Sequence, residues 1–300
     1  GVVRIPVIRF DLDKDGRLDD EDYLVAYVRG GSDWQFWCTD TCEFRFTLNP
    51  FDDYRTYWVV ESGDSSDTMG TFSSSVVPHR TLTHFRNQEV WKRSRRFPSD
   101  DRMGTLVWTW EKLTYTNRSM VVDLDMPGAV ADSAIGILVE PGPIRSSGFG
   151  IELSGVELCS PCTRKKWFWL SDWTTPRVEL TYEGPAVGDP APYVDIEHVE
   201  AAWSQKLDFA GKSRMMIFSS GEAGAVEYRL VGLPEGTLTY VVRVPTDDSR
   251  VSLIDTVRSG GTCTWSDSGG VGLRYLVCTE SGFRASPQLE RYQSRGVSSY

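Results

Sequence analysis

The chain has 300 residues, of which 40% are hydrophobic and 25% charged, and these fractions are typical of a globular protein with one large or two ordinary domains. The 32 lysines and arginines are outnumbered by 42 aspartates and glutamates, so the net charge of -10 argues against a nucleic-acid partner or a surface that coats anionic membranes. The 11 tryptophans, 12 tyrosines and 13 phenylalanines exclude a disordered, collagen-like or coiled-coil chain.

The first predicted element is an apolar strand over residues 1–10, in which Val3, Ile5 and Val7 alternate onto one face. The chain starts at Gly1 without an initiator methionine, which suggests a processed or trimmed protein. This strand either pairs within its own domain or is donated to a neighbouring subunit. No apolar stretch of the sequence approaches the roughly 18 residues that a bilayer span requires, so we expect no transmembrane segment.

An acidic segment, residues 11–22, follows this strand and has the pattern of a twelve-residue calcium loop. Calcium binds six to eight oxygen atoms, and the loop supplies them from carboxylates and one main-chain carbonyl, while Gly16 at its sixth position permits a sharp turn. The predicted ligands are Asp11, Asp13, Asp15, the carbonyl of Arg17, Asp19 and Asp22. The alternative is an acidic, solvated turn after a strand.

The loop resembles the EF-hand-like loops of dockerins and related secreted calcium modules. The resemblance is carried by Asp-Lys-Asp-Gly-Arg-Leu at 13–18 and by aspartate, rather than glutamate, at the twelfth position, and it covers this segment alone. A dockerin carries two such loops and this chain has one, so the resemblance implies a calcium site rather than cohesin binding. Acidic residues followed by Leu24, Tyr27 and Val28, and then by Gly30, predict a short helix after the loop.

A basic segment, residues 79–96, carries six lysines and arginines against one glutamate. It is interpreted either as a groove for an anionic polysaccharide, with Arg93 and Arg95 as contacts, or as a solvated strand and loop. His79 and His84, with the tyrosines at 54 and 57, could act as base and acid in a polysaccharide lyase. No Ser-His-Asp, HExxH or phosphate-loop motif occurs, so a non-enzymatic function is favoured.

Later aromatic and polar motifs add two candidate surface sites. Trp167 and Trp169 alternate on one face of a predicted strand, where they either stack on sugar rings or pack into the core. Asn117, in Asn-Arg-Ser, is an acceptor for N-glycosylation in a eukaryotic source.

The six cysteines fall into three close pairs, Cys38 with Cys42, Cys159 with Cys162, and Cys263 with Cys278. Such local pairing predicts disulfides and a secreted protein, and the last pair is expected to face across a hairpin. The alternative for the first two pairs is a zinc site.

Short runs of β-branched and aromatic residues predict a mainly β protein. These runs lie at 54–60, 105–110, 120–124, 149–153, 227–231, 238–244 and 251–254. The Pro- and Gly-rich segment 184–192 is expected to be a linker. We therefore expect an N-terminal unit of strand, loop and helix at 1–30, a larger jelly-roll-like sandwich at 31–183 and an immunoglobulin-like sandwich at 193–300.

The preferred function is a calcium-stabilised structural or adhesive protein of the extracellular surface, as a subunit or module of an assembly or filament that associates with itself or with other surface proteins. The alternative is a carbohydrate-binding module for an anionic polysaccharide, and the third possibility is the lyase.

Overall fold

The computed structural model describes residues 5, 7–10, 14–15, 17, 23–28, 33–38, 42–47, 69–92, 95–98, 106–144, 148–186, 192–219, 224–246, 251–268 and 272–284. Within these ranges the protein is mainly β, as predicted, with 23 strands and one 3-10 turn at Glu280–Gly282. No helix in the described ranges has the length and apolar character needed to cross a bilayer.

The strands, in chain order, are β1 (Val7–Phe10), β2 (Tyr23–Ala26), β3 (Asp33–Cys38), β4 (Cys42–Thr47), β5 (Gly70–Thr71), β6 (Arg80–Leu82), β7 (His84–Trp91), β8 (Arg95–Pro98), β9 (Leu106–Thr109), β10 (Glu111–Leu113), β11 (Ser119–Asp123), β12 (Ile135–Ile144), β13 (Phe149–Leu153), β14 (Val156–Cys162), β15 (Trp167–Leu170), β16 (Arg177–Tyr182), β17 (Val194–Lys206), β18 (Arg214–Phe218), β19 (Val226–Leu233), β20 (Thr239–Pro245), β21 (Ser252–Val257), β22 (Gly261–Asp267) and β23 (Leu273–Thr279).

The first sandwich packs two antiparallel sheets around one apolar core. One sheet has the order β10-β17-β12-β15, with β7 also paired to β17, and the other has the order β11-β16-β13-β14. Alternate residues point inward, so Ile137 and Val139 of β12 and Trp203 of β17 are buried with Leu180 of the facing sheet. β17 is paired on both sides and is buried along most of its length.

The second sandwich packs the sheet β18-β23-β20-β21-β5 against the sheet β22-β19-β6. Its core includes a group of stacked and tilted aromatic rings from Tyr228, Trp265 and Tyr275. β5 and β6, which precede the first sandwich in the chain, add parallel pairings to β21 and β19. The predicted bounds of 193–300 for the second sandwich therefore leave out two of its strands, β5 and β6.

The boundary between the sandwiches differs from the predicted linker at 184–192. The Tyr182 hydroxyl lies within hydrogen-bond distance of two carbonyls, 3.1 Å from that of Pro185 and 3.3 Å from that of Pro192, and its one proton is shared between them, so both ends of this segment are held at β16. The chain then enters β17, which is a central strand of the first sandwich. The chain passes between the sandwiches at Thr83 and at Leu207 instead, and the Leu207 N–H donates to the Thr83 carbonyl at 2.9 Å.

The predicted helix near residues 20–29 is wrong, because Tyr23–Ala26 form β2 and pair antiparallel with β1. Exposure alternates along this strand, with Leu24 exposed and Val25 and Tyr27 partly buried, which is the period of a strand and not of a helix. Ile8, Phe10 and Tyr27 pack against the outer face of the β20–β23 sheet, so the hairpin covers that face.

The β3–β4 hairpin lies between the two sandwiches. Phe44 belongs to the core of the second sandwich, whereas the ring of Phe46 contacts His198 on β17 of the first, with ring centroids 5.7 Å apart. At the start of β3, Asp33 accepts two hydrogen bonds from the buried guanidinium of Arg274, at 2.8 and 3.2 Å. This bidentate pair anchors the hairpin to β23.

Candidate functional site

The acidic segment 11–22 connects β1 to β2 and is closed by the pairing of Phe10 with Tyr23. Antiparallel partners have Cα atoms about 4.5–5.5 Å apart, so the two ends of the segment are held together. Asp15 and Arg17 are exposed, and the Arg17 N–H donates to Asp15 Oδ1 at 2.6 Å, which is an Asx-type turn. The other predicted ligands, Asp11, Asp13, Asp19 and Asp22, lie outside the described residues.

Two of the predicted sugar-contacting residues come together with an arginine that was not singled out. Trp167 and Trp169 stack with centroids 5.9 Å apart, and the Arg86 guanidinium lies 4.7 Å from the Trp169 ring centroid and 5.7 Å from that of Trp167. We call these three residues the tryptophan–arginine face. The side chains of Arg93 and Arg95 lie outside the described residues.

Small residues on the intervening strands make the tryptophan–arginine face possible. Gly136 on β12 is the partner of Trp169, and a Cβ atom there would lie 2.8 Å from the indole ring. Ala202 on β17 is the next residue across the sheet, which leaves room for Arg86 of β7 to reach the indole. The interaction of a guanidinium with an indole is worth about 0.5–1 kcal/mol at an exposed site, and Trp169 remains 49% exposed.

The cysteines differ from the prediction at one pair. Cys159 and Cys162 form a disulfide, with Cα atoms 5.6 Å apart. Cys38 and Cys42 are cross-strand partners at the end of the β3–β4 hairpin, but their side chains lie outside the described residues, so this disulfide stays a prediction.

The predicted disulfide between Cys263 and Cys278 is wrong, since both are buried free thiols. Their strands enter different sheets, so Cys263 lies in the core of the second sandwich and Cys278 on the outer face of the β20–β23 sheet. Burial raises the pKa of the Cys263 thiol to about 12 and that of Cys278 to about 11. Both are therefore protonated and unreactive near neutral pH.

A buried polar group occurs on the outer face of the β12–β17 pair. Glu140 lies directly across from His198, and Glu200 follows on the same face of β17. His198 Nε2 and Glu200 Oε1 are hydrogen-bonded at 3.1 Å, and these side chains are 2% and 0% exposed. We call Glu140, His198 and Glu200 the Glu–His–Glu cluster.

The surroundings of the Glu–His–Glu cluster are asymmetric. Phe46 covers His198, whereas Glu140 is partly exposed and forms an ion pair with Lys165. Burial, reinforced by the charge of Glu140, raises the pKa of the neighbouring Glu197 to about 7. One carboxylate or imidazole atom from each member of the cluster lies within 4.8 Å of the others, so the three could ligate one cation.

Sequence reasoning missed this cluster, although a signal for it exists. Strand β17 is buried along most of its length, yet His198 and Glu200 place two ionisable side chains on one face two residues apart. Ionisable residues are rarely fully buried without a partner, and this pattern therefore marks a special position. Only the pairing with β12 supplies the third member, Glu140.

The remaining candidate residues are exposed or outside the described ranges. His79 and His84, proposed for the lyase, are exposed, and the tyrosines at 54 and 57 are not among the described residues. Asn117 is exposed at the turn between β10 and β11, where its Nδ2 donates to Glu111 Oε1 at 3.0 Å and to the Lys112 carbonyl at 2.9 Å.

No family model matches the chain, and no curated protein matches it. Among solved structures, the chain is similar to dimeric latent PorU from Porphyromonas gingivalis, with a TM-score of 0.64 and 12% identity over 93% of this chain. The match spans only 27% of the PorU chain, and it shows a shared fold alone. A conserved protein of unknown function from Pseudomonas aeruginosa PAO1 matches 64% of this chain and 92% of its own at 12% identity, with a TM-score of 0.18.

Proposed function

We propose that the protein is a calcium-stabilised structural or adhesive module of an extracellular assembly or filament. The observation that carries this proposal is the closure of the acidic segment 11–22 by the Phe10–Tyr23 pair of a hairpin that is seated on the second sandwich. The segment has seven acidic and two basic residues and a net charge of -5. Its two ends are held together by the Phe10–Tyr23 pair, so a bound cation relieves the repulsion between its carboxylates.

The contacts of the β1–β2 hairpin support a stabilising role for calcium rather than a signalling one. The Phe10 ring packs edge-on against Tyr240 with centroids 5.7 Å apart, and the Met69 N–H donates to the Val7 carbonyl at 2.8 Å. Ordering the loop therefore fixes a hairpin that shields Tyr240 and Val242 of the sheet. Extracellular calcium is abundant, so even a weak site is filled there.

Two further observations support an extracellular module. The Cys159–Cys162 disulfide is typical of an oxidising compartment. PorU, described as dimeric, contains a unit of this fold as about a quarter of its chain, which is a precedent for the same architecture as part of a larger protein. We propose on these grounds that the protein associates with itself or with other surface proteins.

Sedimentation velocity at increasing protein concentration tests the assembly proposal. We expect oligomers that grow with concentration in calcium and diminish in EDTA, because the cation orders the hairpin and its loop. Asp15→Asn should reduce the calcium dependence, whereas Asp172→Asn, at an exposed turn of the first sandwich, should not. A monomer at every concentration in calcium would refute self-assembly.

The tryptophan–arginine face supports a second candidate function, the binding of an anionic polysaccharide. Exposed indole rings offer flat apolar surfaces for sugar rings, and the guanidinium of Arg86 supplies a positive charge with a planar set of donors for carboxylate or sulfate. Trp167 and Trp169 belong to a paired strand, so their spacing is fixed before any ligand binds.

Replacing Trp169 with alanine tests this binding function. We expect a loss of about 2 kcal/mol, or roughly 30-fold in affinity, for polygalacturonate or heparin fragments, because truncating a tryptophan at the centre of a contact removes its whole stacking area. Titration calorimetry measures the effect. The matched control is Tyr115→Ala, since Tyr115 is equally exposed at 49% in the turn between β10 and β11 of the same sandwich. Equal losses in both variants, or no binding by the parent protein, would remove this function.

A further inference from the structure

We propose that the Glu–His–Glu cluster binds one first-row divalent metal ion, with Zn²⁺ as the probe, independently of the calcium loop. The cluster belongs to the first sandwich, whereas the acidic segment is part of a hairpin on the second. Each of its members sits on β12 or β17, the most extensively paired strands of their sheet. Ligands on paired strands are held in place before the ion arrives.

The distances suit a shared ion. Zinc binds imidazole nitrogen and carboxylate oxygen at about 2.0–2.2 Å. His198 Nε2 and Glu200 Oε1 are 3.1 Å apart. If both bind one ion at these distances, the ligand–metal–ligand angle is about 100°, which lies between the octahedral and tetrahedral values. Glu140 completes the set from the opposite strand, and its partly exposed side chain can rotate to close the remaining distance.

Burial supplies an independent reason to expect a cation. Among the described residues, neither Glu200 Oε2 nor His198 Nδ1 has a hydrogen-bond partner, although both atoms are buried. A buried carboxylate without compensation costs several kcal/mol. Lys165 is engaged with Glu140 at the rim, which leaves the His198 ring as the partner of Glu200 in the interior. A divalent ion between these groups balances the buried charge.

The chemistry of the donors selects the class of metal. One imidazole nitrogen with two carboxylates suits zinc, manganese or iron, whereas calcium and magnesium prefer ligand sets made of oxygen alone. Phe46 closes the site above His198, and the side that carries Glu140 and Lys165 is open to solvent. Three protein ligands with an open side leave a coordination position for water or for another small ligand.

Metal titration of the full chain tests the proposal. The protein is first freed of metal by a chelator, then saturated with calcium to fill the acidic loop, and Zn²⁺ binding is measured by calorimetry. We expect one zinc per chain, and at least about 100-fold weaker binding in Glu200→Gln and in Glu140→Gln, because each removes a charged ligand. Glu152→Gln, on the facing sheet of the same sandwich, should bind as the parent does.

The outcomes separate the alternatives. Glu140 is at the partly exposed rim, so Glu140→Gln decides the question where the buried Glu200→Gln variant fails to fold. Cobalt substitution should give a visible spectrum without a thiolate charge-transfer band. The proposal would be overturned if the protein bound no zinc, if Glu140→Gln bound zinc as tightly as the parent protein, or if the cobalt spectrum showed a thiolate band. None of these results bears on the calcium loop.

Discussion

Replacing Asp33 with alanine is expected to lower the free energy of unfolding by about 3–5 kcal/mol. Arg274 is 1% exposed, and both of its terminal nitrogens donate to the Asp33 carboxylate. Removing that carboxylate leaves a guanidinium charge buried without its main partner, which costs more than the loss of the ion pair itself. Urea denaturation followed by tryptophan fluorescence measures the change.

Two variants distinguish this cause from a general effect of truncation. Asp123→Ala removes one member of the exposed Arg177–Asp123 pair, where the closest atoms are 4.0 Å apart, and should change stability by less than about 1 kcal/mol. Adding Arg274→Met to Asp33→Ala should recover part of the loss, because it removes the stranded charge. The explanation fails if Asp33→Ala is no more destabilising than Asp123→Ala.

Removing calcium with EDTA is expected to lower the melting temperature by about 5–10 °C. A ligand at 100 times its Kd stabilises the native state by about 2.7 kcal/mol, and 1 kcal/mol corresponds to about 2–4 °C for a domain of 150–250 residues. Phe10 and Tyr27 of the β1–β2 hairpin pack against the second sandwich, so we expect this stabilisation to extend to that sandwich. Differential scanning calorimetry in excess calcium and in EDTA measures the shift.

Single carboxylate variants locate the origin of the shift. Asp15→Asn removes one proposed ligand and should reduce the calcium-induced shift by at least about half. Asp172→Asn changes the net charge equally at an exposed turn far along the chain, and its shift should equal that of the parent protein. Identical melting temperatures in calcium and EDTA would show that the acidic segment is only a solvated turn.

The β class was predictable because alternation of apolar and polar residues is a local property. The identity of each strand's partner is not local, and this is why the sandwich boundary differs from the prediction. Prolines and glycines in 184–192 do end a strand. They do not encode that the next strand, β17, returns to the same core.

The short helix shows a second limit of local pattern. Leu24, Tyr27 and Val28 have helical spacing, but Val25 and Tyr27 also alternate as a strand does, and a segment this short fits both periods. Pairing with β1 decides in favour of the strand. In the same way, the spacing of Cys263 and Cys278 suggested a hairpin, but their strands separate into two sheets.

The candidate sites were predictable to the extent that their residues are neighbours in sequence. Trp167 and Trp169 share a face because they are two residues apart in a strand. Arg86 and Glu140 come from distant strands, and only the sheet order brings them to Trp169 and to His198. The residues that flank Arg86 and Glu140 in the sequence therefore do not indicate that either belongs to a site.

The parallel pairings of β5 and β6 impose an order on folding during synthesis. β6 ends at Leu82 and its partner β19 begins at Val226, so at about 5–20 residues per second β6 waits roughly 7–30 s for its partner to be made. β23, which lies between β18 and β20, is the last strand of its sheet to be made. The nascent chain therefore holds an incomplete second sandwich until β23, which ends at Thr279, has left the ribosome, and its unpaired strands need protection until then.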